Sequence, residues 1–129
     1  MREIRFRAWD KESKRMFHIA RFDFADNTVY SHLFACEGYL AENLKIMQYT
    51  GLKDKNGTEI YEGDVVSVRD FKFSTTHQPV KLIREVAFNH GMYVLSEKGM
   101  LDVPISAVLT NDIEVIGNVF QNGGLLNDS

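Results

Sequence analysis

One cysteine, two prolines and no long apolar run: the 129-residue sequence is first informative through what it lacks. Cys36 has no partner for an intrachain disulfide, and the Cys/His spacings of a structural zinc site are missing. No apolar stretch reaches the ~18 residues of a membrane-spanning helix, and the opening MREIRFRAWD carries charge where a signal peptide has its apolar core. These absences lead to the expectation of a cytoplasmic protein with no membrane partner. There is no Gly-Lys-Ser/Thr phosphate loop, Gly-x-Ser-x-Gly elbow, His-Glu-x-x-His helix or Gly-x-Gly-x-x-Gly turn. The expectation is therefore a protein that is not an enzyme and carries no cofactor.

A strong net charge is missing too, since 15 basic residues face 18 acidic ones for a net charge of -3. The average hides a gradient. Residues 1–21 hold seven bases and three acids, a balance of +4, whereas the remainder holds eight bases and fifteen acids, a balance of -7. A basic end on an acidic body suits a phosphate backbone, and it suits equally an acidic patch on its own or a neighbouring subunit.

What is present is a succession of short alternating segments. Ile4, Phe6 and Ala8 alternate with Glu3, Arg5, Arg7 and Trp9, the period of a half-buried strand. A polar turn over residues 10–14 leads into a second alternating run from Met16 to Phe24, and Asp26-Asn27 turns the chain again before Val29-Tyr30. Residues 36–44 are ambiguous, because Leu40 and Leu44 permit helical turns while Gly38 weakens them. Lys45–Thr50 reads as a further strand. Asn56-Gly57 predicts a type I′ hairpin turn, which needs positive φ at both central residues. Five β segments follow: one from Gly63-Asp64 through Val68, then Val80–Phe88, Met92–Leu95, Met100–Ile105 and Ile113–Ile116. The first loop, residues 70–79, is long, and a helical turn at Ser106–Leu109 precedes the last strand. That order predicts an SH3-like β-barrel. The expected fold is all-β with little helix: an N-terminal β-meander over residues 1–60, an SH3-like barrel over 61–120, and a partly flexible tail over 121–129.

Several residue groups invite functional readings. Asp54–Glu59 has the composition of part of a calcium loop but lacks its ligand spacing, and the Asp/Asn/Gly content is that of an ordinary turn. Glu59, Glu62 and Asp64 are close enough in sequence to collect a cation or act as an acid/base pair, yet they sit at turns and strand starts where carboxylates face water. His18, His32, His77 and His90 show no ligand spacing. Cys36, with His32 as a base, is a candidate nucleophile, against the ordinary alternative of a small buried hydrophobe. The sharpest candidate is the first strand. Arg5, Arg7 and Trp9 project from one side, where two guanidiniums and an indole suit phosphates and a stacked base, or anchor a protein partner. The alternative is that Trp9 caps the core edge while both arginines are solvated.

Two blocks carry a family resemblance: Ile4-Arg5-Phe6-Arg7-Ala8-Trp9-Asp10-Lys11, and Met47-Gln48-Tyr49-Thr50-Gly51-Leu52-Lys53-Asp54-Lys55-Asn56-Gly57 running on to Asp64-Val65-Val66. With the closing Ile116-Gly117-Asn118-Val119-Phe120, they resemble the YopX-like proteins of phages and prophages. The resemblance implies a phage gene expressed in a bacterial cytoplasm. It brings no assigned activity, cofactor or catalytic residue, so no site is carried over. In the central block Gly51, Gly57 and Gly63 fall six residues apart, as successive tight turns require, and Tyr49 and Tyr61 suit a cross-strand pair. The combined expectation is a non-catalytic phage binding or assembly module. Its expected partners are further copies of itself, joined through sheet edges, or a phage or host protein, with nucleic acid as the alternative.

Overall fold

The computed structural model describes residues 3–31, 38–70, 80–97, 101–108, 110–122 and 124. Over these residues the chain is all-β, with antiparallel ladders and short 3-10 turns as its only helical elements. It divides into two compact units, Met1–Tyr49 and Thr50–Ser129.

The first unit is a meander in the order β4-β3-β2-β1-β5. Its strands are β1 (Phe6–Asp10), β2 (Arg15–Asp23), β3 (Thr28–Ser31), β4 (Gly38–Leu40) and the first part of β5 (Leu44–Lys53). Each turn has a chemical cause. Between β1 and β2 the Asp10 carboxylate accepts the Glu12 N–H at 3.1 Å and the Ser13 hydroxyl at 2.8 Å. Lys14 then takes φ 55° and its N–H closes on the Asp10 carbonyl at 2.8 Å. Between β2 and β3 Asn27 takes φ 60°, a left-handed conformation that asparagine tolerates well. The ambiguous stretch, where described, is β4 followed by a 3-10 turn at Ala41–Asn43. Ala8, Val29 and Leu44 form the core, with Phe17, Ile19, Phe22, Tyr39, Ala41 and Ile46 packed on it. Ile4, expected on the buried face, lies before β1 and is 67% exposed; Asp10 is buried instead, where its carboxylate organises the turn.

The second unit takes the rest of β5 and adds β6 (Glu59–Tyr61), β7 (Asp64–Asp70), β8 (Val80–Asn89), β9 (Met92–Ser96), β10 (Val103–Pro104) and β11 (Ile113–Asn118). Its main sheet runs β10-β9-β8-β7-β11, so the last strand returns beside the first of the five. The expected strand succession is present, with 3-10 turns at Ile105–Ala107 and Thr110–Asp112 before β11. Among the described residues the sheet does not close into a barrel: β10 and β11 are its edges. Of the strand expected over Met100–Ile105, Met100 lies outside the described residues and two of the others form β10, which ends at Pro104, a residue with no N–H to extend a ladder. Residues 71–79 of the long loop lie outside the described residues, as does the tail except Gln121, Asn122 and Gly124. The core is Ile60, Val66, Val68, Val86, Leu95, Ile105 and Ile113, and burying each such aliphatic side chain contributes about 1.5–3 kcal/mol.

The Asn56-Gly57 turn differs from its expectation. Only Gly57 has positive φ, 82°, because the loop is a type I turn closed by a left-handed glycine. The Gly57 N–H donates to the Asp54 carbonyl at 3.0 Å and the Asp54 N–H to the Thr58 carbonyl at 2.8 Å. The turn with both central residues at positive φ lies elsewhere, at His90 (52°) and Gly91 (77°), joining β8 to β9. The division at Tyr49 and Thr50 places the Asn56-Gly57 turn in the second unit. Lys55 N–H donates to the Ile113 carbonyl at 3.0 Å and Val115 N–H to Asp54 Oδ2 at 2.9 Å, tying the turn to β11.

Candidate functional site

Arg5, Arg7 and Trp9 stand on one face of the first unit, with β1 lying between β2 and β5. Residues directly opposite in an antiparallel ladder share a face. Arg7 is thus flanked by His18 on β2 and Met47 on β5, and Trp9 by Met16 and Lys45. Arg5 sits just before β1, where its carbonyl accepts the Tyr49 N–H at 2.9 Å and continues the ladder. Arg5, His18 and Lys45 are exposed, Arg7, Trp9 and Met16 are half-buried, and Met47 and Tyr49 are buried. No carboxylate occurs among these eight residues. Glu3, at the end of the row, pairs with Arg5 at 3.2 Å, both side chains more than half exposed. A pair of that kind is worth about 0–1 kcal/mol and exchanges readily with another anion. The result is a sheet face that carries two arginines and one indole in a row with Lys45 alongside, and whose centre, at Met47, Tyr49 and Arg7 Nε, is buried.

The other candidates separate. Glu59 Oε1 accepts the Tyr61 hydroxyl at 3.3 Å. Asp64 is 1% exposed, contrary to its expected place in water, because its Oδ2 accepts the Tyr61 N–H at 2.8 Å and closes the bend between β6 and β7. Among the described residues no three His, Cys, Asp or Glu side chains gather closely enough to hold a metal ion. His18 lies on the platform and His90 in the β8–β9 turn, whereas His32, Cys36 and His77 lie outside the described residues. Among the described residues no helix is long and apolar enough to cross a membrane.

The calcium-like segment has a structural use instead. Asp54 Oδ1 accepts the N–H groups of Asn56 (2.8 Å) and Thr58 (2.9 Å), and Oδ2 takes Val115 N–H on β11. Burial pushes the Asp54 pKa up, but these three N–H groups and the Lys55 charge outweigh it, leaving the carboxyl below its ordinary value. The opposite case is Glu85 on β8, a half-buried carboxyl that burial pushes up. Asn118, 8% exposed, performs a similar task at the end of β11: its Oδ1 accepts the N–H groups of Phe120 (3.1 Å) and Gln121 (2.9 Å). Its Nδ2 donates to Gln121 Oε1 at 2.7 Å. Sequence reasoning passed over Asp54 and Asn118 as organisers, although an Asp two residues before Asn-Gly is a signal for a side-chain-capped turn.

Known proteins repeat this architecture across their whole length. The crystal structure of protein EF1440 from Enterococcus faecalis matches with a TM-score of 0.69 at 26% identity, covering 98% of this chain and 99% of that one. The X-ray structure of protein yopX from Bacillus subtilis matches in fold with a TM-score of 0.62 at 24% identity, covering 95% of this chain and 97% of that one. None of the curated proteins matches the chain. The family model described as YopX protein matches residues 5–127, nearly the whole sequence, and the chain therefore belongs to the YopX family.

Proposed function

We propose that this chain is a non-catalytic binding module, a phage or prophage accessory protein of the bacterial cytoplasm, whose contact surface is the platform around Arg5, Arg7 and Trp9. One observation carries the reading: the face sets Arg5, Arg7 and the Trp9 indole in one row, with Lys45 beside Trp9 on the adjacent strand. Arginine and tryptophan are the side chains that most often anchor interfaces. The test is recovery of partners by the tagged chain from a host lysate, beside a variant carrying Arg5→Glu and Lys45→Glu, both at exposed positions. A partner held by the natural chain and lost from the variant supports the proposal; identical recovery by both contradicts it.

A second reading, self-association, is favoured by the state of the sheet edges. β11 is covered at Ile113 and Val115 by the Asp54 turn, β10 ends in Pro104, and on β6 the Tyr61 N–H already donates to Asp64. Among the described residues the remaining edge is β4, where Leu40 is 50% exposed. Unpaired edges are strand-pairing surfaces. Light scattering after size exclusion tests this: a dimer abolished by Leu40→Glu supports it, and a monomer across a wide concentration range contradicts it.

A further inference from the structure

We propose that Asn56-Gly57 is a self-modification site, where asparagine converts to aspartate and isoaspartate without an enzyme, and that Asp54 gates the reaction. The chemistry lies in the two residues themselves. The Gly57 nitrogen attacks the Asn56 carboxamide carbon, closing a succinimide ring as the Cγ–Nδ2 bond breaks and ammonia leaves with the Gly57 proton. Water then opens the ring. Hydrolysis at Cγ gives aspartate with the natural main chain, and hydrolysis at the Asn56 carbonyl carbon gives isoaspartate, with the main chain routed through Cγ. Glycine has no Cβ to shield the attacking nitrogen, and both residues are exposed to the water that the second step consumes. Among the described residues no hydrogen bond holds the Asn56 carboxamide.

The folded turn opposes the first step in two ways. Ring closure requires the Gly57 nitrogen to rotate about the Asn56 Cα–C bond until it eclipses Cβ. In a type I turn ψ at this position is about 0°, which sets that nitrogen beside the Asn56 nitrogen instead. The attacking group must also release its proton, yet the Gly57 N–H is held on the Asp54 carbonyl at 3.0 Å. Asp54 Oδ1 fixes this conformation from both sides of the reacting bond, accepting the N–H groups of Asn56 at 2.8 Å and Thr58 at 2.9 Å. The reaction therefore starts from a locally opened turn in an otherwise folded unit. Opening and reclosing are fast beside the chemistry, so the rate follows the open population. Isoaspartate then makes the opening permanent, because its extra main-chain atom puts Gly57 and Thr58 out of step with Asp54.

The experiment incubates the full chain at neutral pH and follows its peptides by mass spectrometry. It reads conversion of amide to acid at position 56 and separates aspartate from isoaspartate by retention. Conversion in the folded chain should be about 25-fold slower than in guanidinium chloride, because two carboxylate-held N–H groups each shift the opening equilibrium about fivefold. Asp54→Ala should remove most of that protection. Asn118→Ala weakens the same unit at the end of β11, where it serves only Phe120 and Gln121, and should leave the rate unchanged. That pair of variants separates local opening of the turn from unfolding of the unit. Asn56→Gln, which must close a larger ring, should lose the signal.

Equal rates in folded and denatured chains overturn the proposal, as does an Asp54→Ala rate no faster than the natural one. Acceleration by Asn118→Ala as large as that by Asp54→Ala overturns the gating role, and a signal that survives Asn56→Gln overturns the site.

Discussion

Replacing Asp54 by alanine removes one carboxylate that holds three backbone N–H groups on two separate stretches of chain. Hydrogen bonds to a charged acceptor contribute about 1.5–3 kcal/mol each, less where water replaces the acceptor. Asn56 and Thr58 are exposed, so their N–H groups regain water and cost about 1 kcal/mol apiece by that scale. Val115 lies in β11, half-buried, and its stranded N–H costs about 2 kcal/mol. The sum, about 4 kcal/mol, is a large share of the 5–15 kcal/mol typical of a domain. Urea denaturation followed by fluorescence should show the midpoint falling by about 2 M, for an m-value near 2 kcal/mol/M.

Asp54→Asn should fall in between, because the amide keeps an oxygen for Asn56 and Thr58 but turns an NH2 toward the Val115 N–H. Acidity provides a second readout. The folded carboxyl titrates below the ordinary aspartate value of about 3.9, so its contribution is full above that value and lost as pH falls through the folded one. Natural and Asp54→Ala proteins should therefore converge in stability only in strong acid. A loss under 1 kcal/mol at pH 7, or an equal gap at every pH, would refute the assignment.

Four further substitutions test the fold. Glu85→Gln should raise the melting temperature at pH 7 with the gain vanishing toward pH 4, since an acid whose folded pKa is raised by burial destabilises the fold once ionised; a pH-independent effect contradicts this. Asn118→Ala should cost about 2 kcal/mol by leaving the Phe120 and Gln121 N–H groups without their acceptor, read as a lower urea midpoint. Gly57→Val should cost more than about 1 kcal/mol through its forced positive φ, whereas Asn56→Ala should be near neutral in melting temperature. Equal losses at the two positions would restore the type I′ turn.

The strand succession was legible because period-two alternation and polar turn clusters are local signals, and most strands lie within a residue or two of their expected places. The Asn56-Gly57 turn was placed correctly but given the wrong conformation. Its dihedrals are chosen by Asp54, whose third hydrogen bond goes to Val115, sixty-one residues away, and no local window contains that information. The same limit explains Asp64, expected in water and found buried against the Tyr61 N–H. Ile4 shows the converse: apolar character alone predicted burial, but the strand starts at Phe6 and leaves it outside. Of the candidate surface, Arg5, Arg7 and Trp9 could be read from alternation on one strand. Lys45 and His18 could not, because their place beside that row depends on the β1–β2 and β1–β5 registers.

The most direct test of the contact surface is recovery of partners from a host lysate by the tagged full chain beside the variant carrying Arg5→Glu and Lys45→Glu, with the two melting temperatures matched. The natural chain should hold a partner that the variant loses. Identical recovery by both would contradict the assignment of this face as the contact surface.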